Sequence, residues 1–138
     1  MDLTLYHAEI SQVLQIIHHL FNIEGAVFDD SAVLVTGSKG YLERKGTAVH
    51  KPSIMEVIEN DEVIVLRPGE MRSCIGCRFS GNCPATLELL KRIVIDGTPV
   101  GVLSFSAFSE SAHDRIAEQM DYFERFMVDF SDLLATLI

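Results

Sequence analysis

The chain has 138 residues, of which 48% are hydrophobic and 22% are charged. This composition is typical of one globular domain with a buried core, and no apolar run reaches the ~20 residues that a membrane span needs. Eleven basic residues stand against twenty acidic ones, and the formal net charge is −9. Nucleic-acid binding depends on Lys and Arg that neutralise phosphates, so direct contact with DNA or RNA is not expected.

The N-terminus has neither the basic start nor the continuous apolar stretch of a signal peptide. We therefore expect a cytoplasmic protein that does not associate with a membrane. Thiols in that compartment are reduced, so clustered cysteines are more typical of metal binding or redox chemistry than of structural disulfides.

The first elements predicted along the chain are a helix and a hairpin. Apolar residues recur at helical spacing from Asp2 to Phe21, and Asn22 is a plausible stop. Ala26 to Phe28 and Ala32 to Thr36, separated by three polar turn residues, predict a β-hairpin.

The middle of the chain has weaker signals. The stretch from Gly37 to Lys51 reads as a loop with one helical turn around Tyr41 to Lys45. Its basic residues are typical of a solvated loop: Lys39, Arg44, Lys45 and Lys51. Ser53 and Glu56 form a capping-box pattern, which predicts a short helix from Ser53 to Glu59. Glu62 to Leu66 is apolar and β-branched, which predicts a strand.

The strongest local signal is a second hairpin. An apolar run through Ile95 is followed by Asp96-Gly97 and by another apolar run from Val100 to Phe108. Asp-Gly favours the positive φ angles of a type I′ turn, so two long antiparallel strands are predicted here.

The last predicted element is one helix, capped by Ser109 or Ser111 and roughly 40 Å long at ~1.5 Å per residue. Its apolar residues fall alternately three and four apart: Ile116, Met120, Phe123, Met127, Phe130, Leu134 and Leu137. This stripe fits packing on the sheet or on the first helix, and it also fits pairing with a second copy. Because the pattern stops at Ile138 without a stop residue, we expect a single domain, 1–138, excised from a longer protein or completed by a partner.

Together these elements predict an α+β fold, with a central antiparallel sheet flanked by the N- and C-terminal helices.

All three cysteines lie between the predicted third strand and the second hairpin, in the pattern C-x2-C-x5-C. We call Cys74 to Cys83 the cysteine segment. Thiolates at this spacing can hold zinc or an iron–sulfur cluster, with His50 as the first candidate for a fourth ligand beside Cys74, Cys77 and Cys83. Two other interpretations stay open: thiol redox chemistry, and unligated thiols that pack as small apolar groups.

A longer pattern surrounds these cysteines. C-x-G-C, N-C-P-A-T, a strand, D-G-x-x-V-G-V and a serine-led helix follow one another from Cys74 to the last helix. This pattern resembles the GAF/PAS-like N-terminal sensory domains of bacterial sigma-54-dependent transcription regulators. The resemblance implies a GAF-like sheet, a bound small molecule or cofactor, and a C-terminal helix that passes a signal to an output domain.

The sequence therefore predicts a sensory domain rather than an enzyme, dimeric through its helices and responsive to a small-molecule or redox signal. Residues that could line a pocket for an organic ligand are Tyr41, Arg72 and Phe79. The alternative is a thiol-based enzyme of the GAF-fold methionine sulfoxide reductase type, which also works through three cysteines. A third possibility is a pure dimerisation module.

Overall fold

A computed structural model describes residues 1–46, 51–60, 64–66 and 85–138 of the chain, and only the backbone of 64–66. A 3-10 turn, Leu3–Tyr6, leads into the first α-helix. The helices are α1 (His7–Phe21), α2 (Lys39–Lys45), α3 (Lys51–Glu59), α4 (Glu110–Glu118) and α5 (Met120–Leu137). The strands are β1 (Glu24–Asp29), β2 (Leu34–Gly37), β3 (Ile64–Leu66), β4 (Leu87–Ile95) and β5 (Thr98–Ala107).

The described strands form one antiparallel sheet in the order β2-β1-β5-β4-β3. The β4–β5 hairpin supplies its two longest strands, and Asp96 and Gly97 have φ angles of 51° and 77°. Both positive angles are those of the predicted type I′ turn. The α+β prediction, with helices outside a central antiparallel sheet, is confirmed.

The two faces of the sheet carry different cores, since successive side chains of a strand point to opposite faces. One face packs under α1, α4 and α5, where Ile17, Phe105 and Met127 are fully buried. The other face packs under α2 and α3 around Phe28 and Tyr41. The second core is the smaller of the two, and it contains the polar residues described below.

Helix α1 and the first hairpin follow the sequence prediction. Asn22 ends α1 in a left-handed conformation, with φ of 51°, and its N–H donates to the carbonyl oxygen of His18 at 2.8 Å. In the turn after β1, the Asp29 carboxylate accepts from the backbone N–H groups of Ser31 and Val33, each at 2.9 Å. This short polar side chain stabilises the turn by satisfying backbone donors.

Two predictions about the middle of the chain are wrong in detail. Helix α2 has seven residues, where a single turn was expected. Helix α3 begins at Lys51, so Ser53 is inside the helix and 5% exposed, and it does not cap the helix. Pro52 is tolerated at the second position because the first N–H groups of a helix have no intrahelical partner.

The predicted single terminal helix is two helices. Gln119 interrupts it with φ of −126° and ψ of 39°. Ser109 caps α4, as expected, by accepting from the N–H of Ala112 at 3.1 Å. The apolar stripe packs on the sheet and on α1, as one of its two interpretations predicted, since Phe123 and Met127 lie in the larger core.

No helix in the described parts of the chain has the length and apolarity that a bilayer crossing requires.

Candidate functional site

Most of the predicted site residues lie outside the described ranges: Cys74, Cys77, Cys83, His50, Arg72 and Phe79. In the part that the structure covers, no group of three or more His, Cys, Asp or Glu side chains could hold a metal ion. The metal site on the cysteine segment therefore stays a prediction. Tyr41 is the one predicted pocket residue that is described.

Tyr41 is the buried residue of α2, 2% exposed, and its side chain belongs to the smaller core. Its ring makes edge-on contacts with Phe28, at 6.3 Å between centroids, and with Phe108, at 5.9 Å. Such edge-to-face pairs add to the stability gained from burial alone. Tyr41 thus connects α2 to β1 and to the residue that follows β5.

Three polar residues cross the sheet beneath α2. Glu24 on β1 pairs with Ser106 on β5, and Ser106 pairs in turn with Glu88 on β4. We call Glu24, Ser106 and Glu88 the polar row. Ser106 is fully buried and Glu88 is 7% exposed. A buried carboxylate is costly unless it is paired or hydrogen-bonded, so each acid of the row needs a partner.

Glu88 has such a partner in Lys45, the last residue of α2. The Lys45 ammonium lies 2.7 Å from Glu88 Oε1, and the two side chains are 9% and 10% exposed. The same ammonium is 5.8 Å from the centroid of the Tyr41 ring, within reach of a cation–π contact. The expectation that Lys45 belongs to a solvated loop is therefore wrong. Lys39, with a side chain 92% exposed, is solvated as expected but lies in α2.

Glu24 holds the other end of α2. The Ser38 hydroxyl donates to the Glu24 carboxylate and accepts from the N–H of Gly25 at 3.1 Å. The carboxylate occupies the space beside Gly40 that a Cβ atom would fill. Glu24 Oε1 also lies 3.2 Å from His18 Nδ1, a buried nitrogen that has no hydrogen bond of regular geometry among the described groups.

Hydroxyl groups extend the polar row along β5. Ser104 and Ser106 are both buried, and their oxygens are 3.3 Å apart. A cavity of about 270 Å³ opens beside Ser106, between α2 and the start of α4, and Arg44, Phe108 and Ser109 also line it. Hydroxyl, carboxylate and guanidinium groups around one small cavity can recognise a polar ligand.

The cysteine segment is joined to this part of the sheet by the chain itself. Residues 67–86 connect the end of β3 to the start of β4, and Leu66 is paired with Glu88. Cys83 precedes Glu88 by five residues. The chain therefore enters and leaves this connection beside the Lys45–Glu88 ion pair.

The sequence analysis did not identify any residue of the polar row, and it assigned Lys45, the ion-pair partner of Glu88, to a solvated loop. One signal was available: Glu88 is a single acid within the apolar run Leu87 to Leu90 of a predicted central strand. An isolated charge in such a strand indicates either an exposed face or a buried partner. The identity of the partner depends on the position of α2, which the sequence left undefined.

No family model matches this sequence, and neither does any curated protein. Solved structures do match it. The GAF domain of the A. aeolicus protein nlh2 in an inactive state superposes with a TM-score of 0.67 at 13% identity, covering 96% of this chain and 83% of that one. This chain has a GAF-like fold.

Two further structures share this fold. A type II free methionine-R-sulfoxide reductase from Thermoplasma acidophilum superposes on the GAF-like domain with a TM-score of 0.67 at 11% identity, covering 99% of this chain and 94% of that one. The cofactor-binding GAF domain of the nutrient sensor CodY from Clostridium difficile gives a TM-score of 0.53 at 11% identity, with 98% and 96% covered. Identities this low define the fold of the domain.

Proposed function

We propose that this GAF-like domain is a signal-sensing input domain of a bacterial transcription regulator. It binds a small ligand, a metal ion or an iron–sulfur cluster beside the cysteine segment and signals through its C-terminal helices. The observation that carries the proposal is the polar row beneath α2, with Ser106 and Glu88 buried, at the part of the sheet to which the cysteine segment is joined. Buried charges and hydroxyls are costly in a purely structural core, and they are typical of a ligand site.

The donor set of the cysteine segment fits a soft metal. Cys74, Cys77 and Cys83 would supply three thiolates and His50 an imidazole, a donor set of the Cys₃His type that zinc takes in structural sites. An iron–sulfur cluster takes the same thiolates. Thiolate ligands must be deprotonated, so binding would release protons and would change the charge of the segment that leads into β4.

Signalling requires two states that the ligand stabilises differently. β4 begins at Leu87, four residues after Cys83, and its partner β5 ends at Ala107, just before Phe108 and the Ser109 cap of α4. A change at the start of β4 is therefore carried by a paired strand to the residue that precedes the C-terminal helices.

We further propose that the domain forms a homodimer through α1 and α5. Ile16 and Leu20 of α1 and Tyr122 of α5 are 43%, 65% and 59% exposed. A cavity of about 490 Å³ next to Leu20 and Tyr122 is lined largely by aromatic rings. An exposed apolar surface on two neighbouring helices supports an interface there.

The experiment that tests metal binding is elemental analysis with a visible absorption spectrum on anaerobically purified protein. Cys74→Ser is the variant and Ser73→Ala is the matched control beside it. Zinc near one per chain, or iron with sulfide and a visible band, is expected in the wild type and the control and not in Cys74→Ser. Absence of metal from all three proteins would contradict metal binding and leave an organic ligand or thiol redox chemistry.

An enzyme is the second candidate, because the Thermoplasma acidophilum reductase superposes over nearly the whole chain. Reduction of a sulfoxide to a thioether consumes two electrons and two protons and releases water. Two thiols of the cysteine segment would supply them and form a disulfide, which thioredoxin would reduce. Turnover of free methionine-R-sulfoxide with thioredoxin, lost in Cys83→Ser, would support this candidate, and inertness of the wild type would exclude it.

A further inference from the structure

Helix α2 is fixed at both ends by acids of the polar row. Its C-terminal Lys45 pairs with Glu88 on β4, and at its N-terminal end Ser38 and Gly40 contact Glu24 on β1. Ser38 directs its hydroxyl to Glu24 and makes no capping bond within the helix. A seven-residue helix is marginal by itself, so these outside contacts and the burial of Tyr41 determine its position.

The two ends differ in how easily they can be released. Gly46 follows Lys45 with φ of 60°, a conformation that glycine adopts at low cost. At the other end, Ser38 also donates its N–H to the carbonyl oxygen of Gly25 at 2.8 Å, so backbone as well as side chains hold it. Loss of the Lys45–Glu88 pair should therefore loosen the C-terminal end of α2 before its N-terminal end.

An aromatic contact joins α2 to Phe108, which leads into the C-terminal helices. The Tyr41 ring packs edge-on against Phe108, and Phe108 is bonded to Ser109, the residue that caps α4. The cavity beside Ser106 separates the rest of α2 from the start of α4. Among the described residues, the ring contact between Tyr41 and Phe108 links α2 to the segment that precedes α4.

We propose that the Lys45–Glu88 ion pair is a latch that sets the position of α2, and through Tyr41 and Phe108 the start of α4. With the pair intact, the Tyr41 ring packs against Phe108, and Ser109 keeps the hydrogen bond by which it caps α4. When the pair weakens, the C-terminal end of α2 moves at Gly46, Tyr41 shifts with it, and the first turn of α4 loosens.

The latch responds to charge because it lies in a poorly solvated part of the domain. Coulomb interactions there are several times stronger than at the surface, so a charge that appears near Glu88 changes the strength of the pair. The proposed binding event would change the charge of the cysteine segment, whose last residue, Cys83, precedes Glu88 by five positions, and in that respect this inference rests on the proposed function. The coupling of the pair to α4 is a property of the unliganded domain and is tested without any ligand.

The test is hydrogen–deuterium exchange, measured by mass spectrometry on the full chain. Glu88→Gln removes the charge of the latch and keeps the shape of the side chain. Glu43→Gln is the matched control, because Glu43 pairs with Lys39 on the same helix, at 3.9 Å and with both side chains largely exposed. The peptides that matter are 38–46, which covers α2, and 105–118, which covers Phe108 and α4.

Glu88→Gln is expected to speed exchange in both peptides about tenfold or more, since a lost buried ion pair is a large local destabilisation. Glu43→Gln should leave both at wild-type rates. The swapped pair Lys45→Glu/Glu88→Lys should restore much of the protection in both peptides. In a Phe108→Leu background, Glu88→Gln should speed exchange in 38–46 and leave 105–118 unchanged by the second substitution.

Two results would overturn the proposal. Faster exchange in 38–46 alone, in an otherwise wild-type chain, would mean that the pair is not coupled to α4. Equally faster exchange in every peptide, α1 included, would mean that the pair supports overall stability. If Glu88→Gln does not fold, Lys45→Met removes the same pair and carries the same expectations.

Discussion

The contact between Glu24 and Gly40 predicts that the effect of Gly40→Ala on stability changes sign when the Glu24 carboxylate is removed. Gly40 lies within α2, and a Cβ atom placed there would overlap the Glu24 carboxylate. Gly40→Ala must therefore displace Glu24, which receives the hydrogen bond from Ser38. Alanine is otherwise the better helix former, so two opposed effects meet at this one position.

The magnitudes decide which effect is larger. Gly→Ala inside a helix normally stabilises by about 0.8–1.0 kcal/mol. A hydrogen bond to a charged group contributes roughly 1.5–3 kcal/mol. We expect a net loss of about 1–2 kcal/mol in the free energy of unfolding, which lowers the Tm by roughly 3–8 °C for a chain of this size. In a Glu24→Ala background the obstruction is gone, and the same substitution should stabilise by about 0.5–1 kcal/mol.

Urea unfolding followed by far-ultraviolet circular dichroism is the suitable assay, because the chain has no tryptophan. Wild type, both single variants and the double variant form a cycle in which the effect of Gly40→Ala is measured with and without the Glu24 carboxylate. The reasoning fails if Gly40→Ala stabilises the wild type and the Glu24→Ala background equally. Additivity of that kind would mean that the carboxylate does not lie against Gly40.

Three further predictions concern other parts of the domain. Gly101→Ala should cost about 1–3 kcal/mol in urea unfolding, because its Cβ would lie 2.5 Å from a backbone carbonyl oxygen of β1, which has little room to move. Hydrogen bonds from the Thr4 hydroxyl and then from its N–H lower the pKa of the Asp2 carboxyl, so its stabilising effect is present above the unfolded-state pKa and lost as pH falls through the folded-state pKa. The Tm difference between wild type and Asp2→Asn should accordingly shrink toward zero in acid, and a constant difference would contradict this assignment. Leu20→Glu should convert the proposed dimer to a monomer in analytical ultracentrifugation while the equally drastic Leu5→Glu should not, and a monomeric wild type would refute the dimer.

The parts of the fold that could be predicted are those with local signals. Asp96-Gly97 defined a hairpin because the backbone angles of its turn are specific to few residue pairs. The helical period of α1 was equally clear. The break at Gln119 could not be found, because the apolar stripe continues on both sides of it and neither proline nor glycine marks it.

Helix α2 and the polar row were missed for one shared reason. Both depend on residues far apart in the sequence: Lys45 and Glu88 are separated by 43 positions, and Ser38 and Glu24 by 14. A glycine and three basic residues made α2 look like a solvated loop. Only the folded sheet shows that Lys45 lies next to the buried Glu88. The sequence alone therefore could not distinguish a paired lysine from a solvated one.

Phe21, the last residue of α1, contacts both α4 and α5 near the break between them. The Phe21 carbonyl oxygen accepts from Arg115 of α4 at 2.6 Å, and the Phe21 ring stacks on Phe126 of α5 at 4.6 Å between centroids. One residue thus contacts both helices on either side of the break at Gln119. A displacement of α4 is therefore shared with α1 as well as α5, and a spectroscopic label on either of those helices should report the same event.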